Sequence, residues 1–391
     1  MSASQLRAIG DLVEPVSTWM PERDDPAGVF TYVDLSAVDQ DAKVVTGARE
    51  LACLDAPSRA RQLVRAGDVL VSTVRPNLNG VALVSPELDG ATASTGFCVL
   101  RPRSGQLDGR YLYQWTKSPR FVSDMVRKAT GASYPAVSDR IVCQSKLPLP
   151  SFPEQLRIAE ILGRADALRV KRRAALAQLD TLTHSIFLDM FGDPATNPKG
   201  WPRNALGSVS VFYAGSTLPK GRQFTGQRSG YFLLKVSDMN LAGNEVYFAT
   251  SQQWSDVPGA ASSTCPESSV VIPKRGAAIA TNKKRITTRA SVLDPNLMAI
   301  FPRQEHLTLA FLYAWLLRLD LNSITSGSSV PQLNKRDLDP LSIPVPPLTL
   351  QLMFADRIAQ VQRVVSMHRK AASRLDMLFV GLQQHAFRGA L

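Results

Sequence analysis

Cysteine is scarce in this chain of 391 residues: there are four, at positions 53, 98, 143 and 265, and no two form a CxxC pair. That scatter supports neither a structural zinc site nor a disulfide framework, and it points to a reducing cytoplasm. Long apolar runs are missing too. Nothing approaches the roughly 18 residues that span a membrane, and the opening MSASQLRAIG has no basic-then-apolar signal segment. No membrane partner is expected. The four histidines, His184, His306, His368 and His385, build no HExxH pair, which removes a common helical metal motif. There is no GxGxxG turn and no GxxxxGK[ST] phosphate loop, and the single Pro-Pro, Pro346-Pro347, is followed by Leu348 instead of an aromatic. The motifs of cofactor turns, motors and DNA adenine methyltransferases are therefore lacking. Asp41-Ala42-Lys43 is only a faint counterpart of a nuclease cluster. The expectation is a non-enzymatic chain with no metal and no cofactor.

What the chain does contain is a duplication. The stretch Gly131 to Phe191 recurs as Gly327 to Phe387 at a constant offset of 196 and without a gap. Pro135, Pro148, Pro150, Gln155, Asp180 and Phe191 return as Pro331, Pro344, Pro346, Gln351, Asp376 and Phe387. Upstream the repeat continues at an offset of 200, with Pro102, Leu107, Leu112, Tyr113 and Trp115 matching Pro302, Leu307, Leu312, Tyr313 and Trp315. So long a period is not that of a solenoid; it marks two duplicated domains. A chain that is 45% apolar has enough material for both cores.

Each copy has the same anatomy. Lys146 to Pro153 is too rich in proline to be helical throughout and is expected to be extended. From Glu154 to about Met190 there is no proline and one glycine, Gly163. Ile161, Ala165, Leu168, Arg172, Ala175, Leu179, Leu182 and Ile186 recur there at three- and four-residue steps, which predicts a long amphipathic helix ended by Gly192-Asp193-Pro194. Its length is about 55 Å at 1.5 Å per residue. The second copy, Leu348 to about Phe387, repeats the seam with Val361, Val364, His368, Ala371, Leu375, Leu378 and Leu382. Arg172 and His368 interrupt the two seams at equivalent positions, either to fix register or to snorkel toward water. Outside the helices, 1–150 and 193–346 read as mixed, strand-leaning domains. Strands are expected at Val69–Val74, Val81–Val84 and Phe97–Leu100, and at Val270–Ile272, Ala277–Ala280 and Leu297–Phe301, with short helices at Tyr111–Trp115 and Phe311–Leu319.

The formal charge is +12, with arginine outnumbering lysine 32 to 13. Such an excess favours a polyanionic partner, and the planar guanidinium suits phosphate and guanine edges.

Thr130-Gly131-Ala132-Ser133-Tyr134-Pro135, then Leu147-Pro148-Leu149-Pro150, then Glu154-Gln155-Leu156 and a long helix ending in Phe191-Gly192-Asp193-Pro194 resemble the specificity subunits of type I restriction-modification systems. The second half repeats the pattern, and Asn197-Pro198-Lys199-Gly200-Trp201-Pro202 also resembles the family's lead into its second domain. Leu350 and Arg357, in place of Glu154 and the seam residue Ile161, are departures in the second copy. The resemblance implies an α+β fold in which two target-recognition domains, 1–150 and 193–346, are joined by two long antiparallel helices, 151–192 and 347–391, in a pseudo-two-fold arrangement. It further implies that each domain reads half of a split DNA site while the helices set the spacer. Partners are then double-stranded DNA, two methyltransferase subunits and, as a further class, restriction subunits. The competing reading is a helical scaffold with minor DNA contact.

On this basis the candidate DNA-contact residues are basic, amide and hydroxyl groups in loops. In the first domain they are Arg75, Asn77 and Asn79 in a loop between strands, with Ser133 and Tyr134 before the proline exit. In the second they are Lys274, Arg275, Asn282, Lys283, Lys284 and Arg285, with Ser328 and Ser329 in the repeated exit loop. The helix positions assigned to partners or spacing are Ile161, Leu168, Arg172, Leu179, Leu182, Val364, His368, Leu375 and Leu378.

Overall fold

The computed structural model describes residues 5–131, 133–325 and 331–388. Two long helices dominate it, Phe152–Phe191 and Leu348–Ala386. The first starts two residues earlier than the prolines suggest, because Pro153 lies in its opening turn, where a missing N–H costs no intrahelical bond. Gly192 follows it with φ 76, a conformation that favours glycine. The chain divides into two compact units, residues 1–175 with 368–391 and residues 176–367. Each unit thus holds the start of one long helix and the end of the other.

Unit 1 contains two four-stranded sheets. One has the order Val13–Glu14, Phe97–Pro102, Val69–Ser72, Val81–Leu83 and is antiparallel throughout. The other runs Arg49–Ala52, Val29–Val33, Thr92–Ser94, Ala60–Leu63, with a parallel pair between Val29–Val33 and Thr92–Ser94. The helices Gly109–Thr116 and Pro119–Lys128 complete its larger core, where Tyr111, Trp115 and Phe121 are buried together with Leu162 and Phe387.

Unit 2 repeats this plan with five-stranded sheets. Ser210–Ala214, Leu297–Pro302, Val270–Pro273, Arg285–Thr287 and Tyr247–Phe248 form one. The other is ordered Arg222–Gln223, Gln253–Ser255, Tyr231–Leu234, Ser291–Leu293, Thr264–Cys265, again with one parallel pair, Tyr231–Leu234 on Ser291–Leu293. The expected strand at Ala277–Ala280 is instead part of a 3-10 turn, Gly276–Thr281. Its residues, mostly small alanines without β-branches, have little to pack on a pleated surface.

The repeated residues take equivalent places in the two units. Gln155 and Gln351 are buried at the starts of the long helices. Gln155 Nε2 donates to the carbonyls of Gln106 and Pro150, and its Oε1 accepts from Asp108 N. Gln351 does the same with His306, Pro346 and Thr308. Phe387 packs edge-on against Tyr111 with ring centres 5.6 Å apart, and Phe191 packs likewise against Phe311 at 4.9 Å. Among the described residues no helix is long and apolar enough to cross a membrane.

Candidate nucleic-acid interface

In unit 1 the strand Val69–Ser72 leads to Arg75, which has a left-handed backbone with φ 50. A 3-10 turn, Pro76–Leu78, follows and is capped by Asn79, also left-handed at φ 48. Both conformations are strained for side-chain-bearing residues, asparagine less than most. The turn is held from two sides. Arg75 N donates to Pro135 O at 2.7 Å, and Val137 N donates to Thr73 O at 2.8 Å. Lys43 Nζ reaches Asn79 O at 2.6 Å. The proline-exit loop is thereby brought against the Arg75 turn, and the Arg75 guanidinium lies 4.7 Å from the centre of the Tyr134 ring. Tyr134 is 68% exposed, an unusual position for so large a ring. Ser133 and Asn77 are exposed beside it, and Asn79 is half-buried. Gly131 is needed here: its φ is 101, and a Cβ would stand 2.9 Å from Tyr134 O.

Unit 2 builds the same device with a longer turn. Arg275 precedes the 3-10 turn Gly276–Thr281, and Asn282 caps it in the left-handed conformation, φ 52. Gly276 N donates to Pro331 O at 2.9 Å, and Leu333 N to Lys274 O at 2.9 Å, the counterparts of the Arg75 and Val137 bonds. Arg275 is exposed and Lys283 half-buried, its ammonium bonded to Asn240 Oδ1. Ser328 and Ser329 lie outside the described residues.

Not every candidate faces outward. Lys284 is 1% exposed, and its Nζ donates to Leu319 O at 2.7 Å and to Asn282 Oδ1 at 2.6 Å. Desolvation pushes this ammonium down to about 8. It is spent on shaping the turn, because the Asn282 oxygen that it shares with Leu321 N ties the cap to the following helix end. Lys274 is also buried, and burial lowers its pKa as well. Arg285 is half-buried, lowered by desolvation, and donates to Lys284 O at 2.9 Å. The outward-facing set is therefore Arg75, Asn77, Ser133, Tyr134 and Arg275, with Asn79, Asn282 and Lys283 at its edge.

Lys43 and Asn240 support the two turns, and no motif in the sequence marks Asn240 for that place. Lys43 carries only the Asp-Ala-Lys signal, and its ammonium goes to backbone carbonyls instead of a carboxylate cluster. Among the described residues no three His, Cys, Asp or Glu are grouped to hold a metal.

Along the helices Ile161, Arg172, Leu179, Val364, His368 and Leu375 are half-buried. Leu168, Leu182 and Leu378 are 56%, 39% and 63% exposed, so they lie outside the seam. In unit 1 Arg169 and Phe379 take the inner places instead: Phe379 is 4% exposed and the Arg169 guanidinium sits 4.3 Å from its ring centre. A guanidinium can be packed there because Asp166 and Asp376 accept from it, at 3.0 and 2.6 Å.

Fold and turns together define a doubled α/β scaffold in which each unit carries an arginine–asparagine turn latched to its proline exit. Residues 227–375 match the family described as "Type I restriction modification DNA specificity domain". That segment lies in the second half of the chain, and the similarity extends to type I restriction-modification specificity subunits. It is similar to the HindI specificity subunit of Haemophilus influenzae, at 23% identity over 142 residues. That match covers 36% of this chain and 31% of the relative, so the chain spans about a third of that relative's length. Among solved structures, one described as "Structural basis underlying complex assembly and conformational transition of the type I R-M system" matches 100% of this chain and 99% of its own, at 26% identity and TM-score 0.64. The fold also matches a type I S subunit from M. genitalium, covering 98% of this chain and 96% of that one, at 15% identity and TM-score 0.60.

Proposed function

We propose that the chain is the DNA-reading subunit of a type I restriction-modification complex. Residues 1–150 and 193–346 each read one half of a split, asymmetric site. Helices 151–192 and 347–391 set the unread spacer and seat two methyltransferase subunits, and the chain itself performs no chemistry. The observation that carries this reading is the doubled turn. An arginine before a 3-10 turn, a left-handed asparagine after it and a latch to the proline exit occur twice on one plan. Arginine and asparagine are the side chains whose geometry matches guanine and adenine edges, and the net charge of +12 supplies a phosphate-binding field.

An antiparallel helix pair is supported within unit 1, where Arg169 meets Asp376 and Arg172 meets His368 Nδ1 at 3.2 Å, the partner's number falling as the first rises. A pseudo-two-fold is supported by the equivalent glutamine and phenylalanine contacts of the two units. Exposed apolar side chains along the helices, Leu168, Val170, Met367, Met377 and Leu378 among them, favour a protein-covered platform.

The test is a genome-wide map of methylated adenines in the native host and in a strain lacking this gene. Loss of methylation at one split motif, two short blocks around a fixed spacer, is the expected result. Unchanged methylation in cells that express both this protein and its methyltransferase partner overturns the proposal in favour of a helical scaffold.

A further inference from the structure

The exit loop of unit 1 is closed on itself and tied to the turn beside it. Thr130 N donates to Ala136 O at 3.0 Å, Ala136 N returns a bond to Thr130 O at 2.9 Å, and Val74 forms a β-bridge with Ala136. Arg75 N donates to Pro135 O, one residue from Tyr134. The backbones that carry Arg75 and Tyr134 are thereby fixed against each other. Their side chains meet as a result, the guanidinium lying over the ring at 4.7 Å from its centre.

Packing does not explain the ring. Tyr134 is largely exposed and so adds little buried apolar surface to the core; what it touches is Arg75. The arginine is as unusual. Among the described residues its guanidinium has neither a carboxylate nor a carbonyl partner. Arg169, which also lies over a ring, gives its donors to Asp166 and Asp376. At Arg75 the donors stay open while the ring limits where they point. A phosphate accepts a cation from many directions, whereas guanine O6 and N7 call for a planar fork in one orientation. A fork that is held but not satisfied suits a base edge.

The second copy lacks this pairing. Arg275 stands where Arg75 does, but the residue at the offset of 196 from Tyr134 is Val330, outside the described residues. A valine has no aromatic face to hold a guanidinium.

We infer that Tyr134 is a positioning residue for base reading in unit 1: it holds the Arg75 guanidinium in the orientation that pairs with a guanine of that unit's half-site. The inference rests on the DNA-reading role proposed above and assigns to Arg75 a base instead of a phosphate.

The motif mapped from methylated adenines supplies the DNA duplex, and the purified complex of this chain with its methyltransferase subunits is the protein. Each guanine of the motif is replaced in turn by 7-deazaguanine, which lacks the N7 acceptor, and the loss of affinity is measured. One such replacement should cost the wild type about tenfold. Arg75→Ala should make that replacement neutral, while Arg275→Ala should leave its effect intact. Tyr134→Leu changes an exposed ring and should shrink the effect to about threefold or less, with the other positions as they were. Tyr134→Phe keeps the ring and should restore it. A side chain that only supported the loop would instead weaken binding to every duplex alike. An undiminished guanine effect in Tyr134→Leu, a uniform loss at all positions, or no guanine that depends on Arg75 overturns the inference and leaves the DNA-reading role standing. If the wild type methylates no split motif, that role falls and the inference with it.

Discussion

Two buried glutamines do more for this fold than their polarity suggests. Gln155 and Gln351 each satisfy two carbonyls and one amide where the sheet exit meets the long helix. Removing either leaves those groups buried and unpaired. Gln155→Ala and Gln351→Ala should each destabilise their own unit by about 3 kcal/mol, visible as a lowered urea midpoint, while surface Gln384→Ala should change little. Lys284 makes a second prediction at this scale. Its folded pKa, about 8, lies below the ordinary 10.5. Between those values the unfolded chain therefore holds the extra proton, and stability should rise with pH across that window. Lys284→Met abolishes that component. Comparing wild-type and variant unfolding at pH 7 and pH 9 checks the sign: the wild type should lose part of its disadvantage at the higher pH, while the variant should not show the change.

At the scale of elements, the long helices combine packing with charge. Arg169 and Asp376 join them within unit 1, Arg169 sheltered and Asp376 partly exposed. A double-mutant cycle should give a coupling of about 1 kcal/mol, and the exchanged pair Arg169→Asp with Asp376→Arg should recover part of what either single change loses. Absence of coupling in urea unfolding counts against the contact. The spacer role predicts a different effect of length. Four residues inserted into both helices add about 6 Å, so the methylated motif should keep its two blocks and widen its spacer. A change of block sequence instead would remove the helices from that role.

For the whole molecule, the excess positive charge predicts DNA binding that weakens steeply with salt. Arg75→Ala and Arg275→Ala should each either lower the slope of log affinity against log salt by about one, marking a phosphate contact, or relax one base position while leaving the slope unchanged. A variant that alters neither quantity places its arginine outside the interface.

The duplication, the long helices, the proline exits and the mixed strand-leaning composition were legible in the residue order, because periodicity and proline chemistry act locally. So was the recurrence of Gln155 as Gln351, though not its reason, since their partners at residues 106 and 108, and 306 and 308, are brought near only by folding. The Gly276–Thr281 turn was misread as a strand because a short alanine-rich run has no period strong enough to choose between the two. Likewise, Lys284 and Arg285 are adjacent letters of one basic run, yet one side chain is sealed inside and the other only half-covered. The sequence by itself determined which local structures form and that they form twice. Only packing settles which cations face outward, which leucines leave the helix seam, and that Arg318 and Phe187 close on each other in unit 2 while their counterparts in unit 1, Ser118 and Gln383, line an open space. Those outcomes depend on distances between residues far apart in the chain, and no local pattern encodes them.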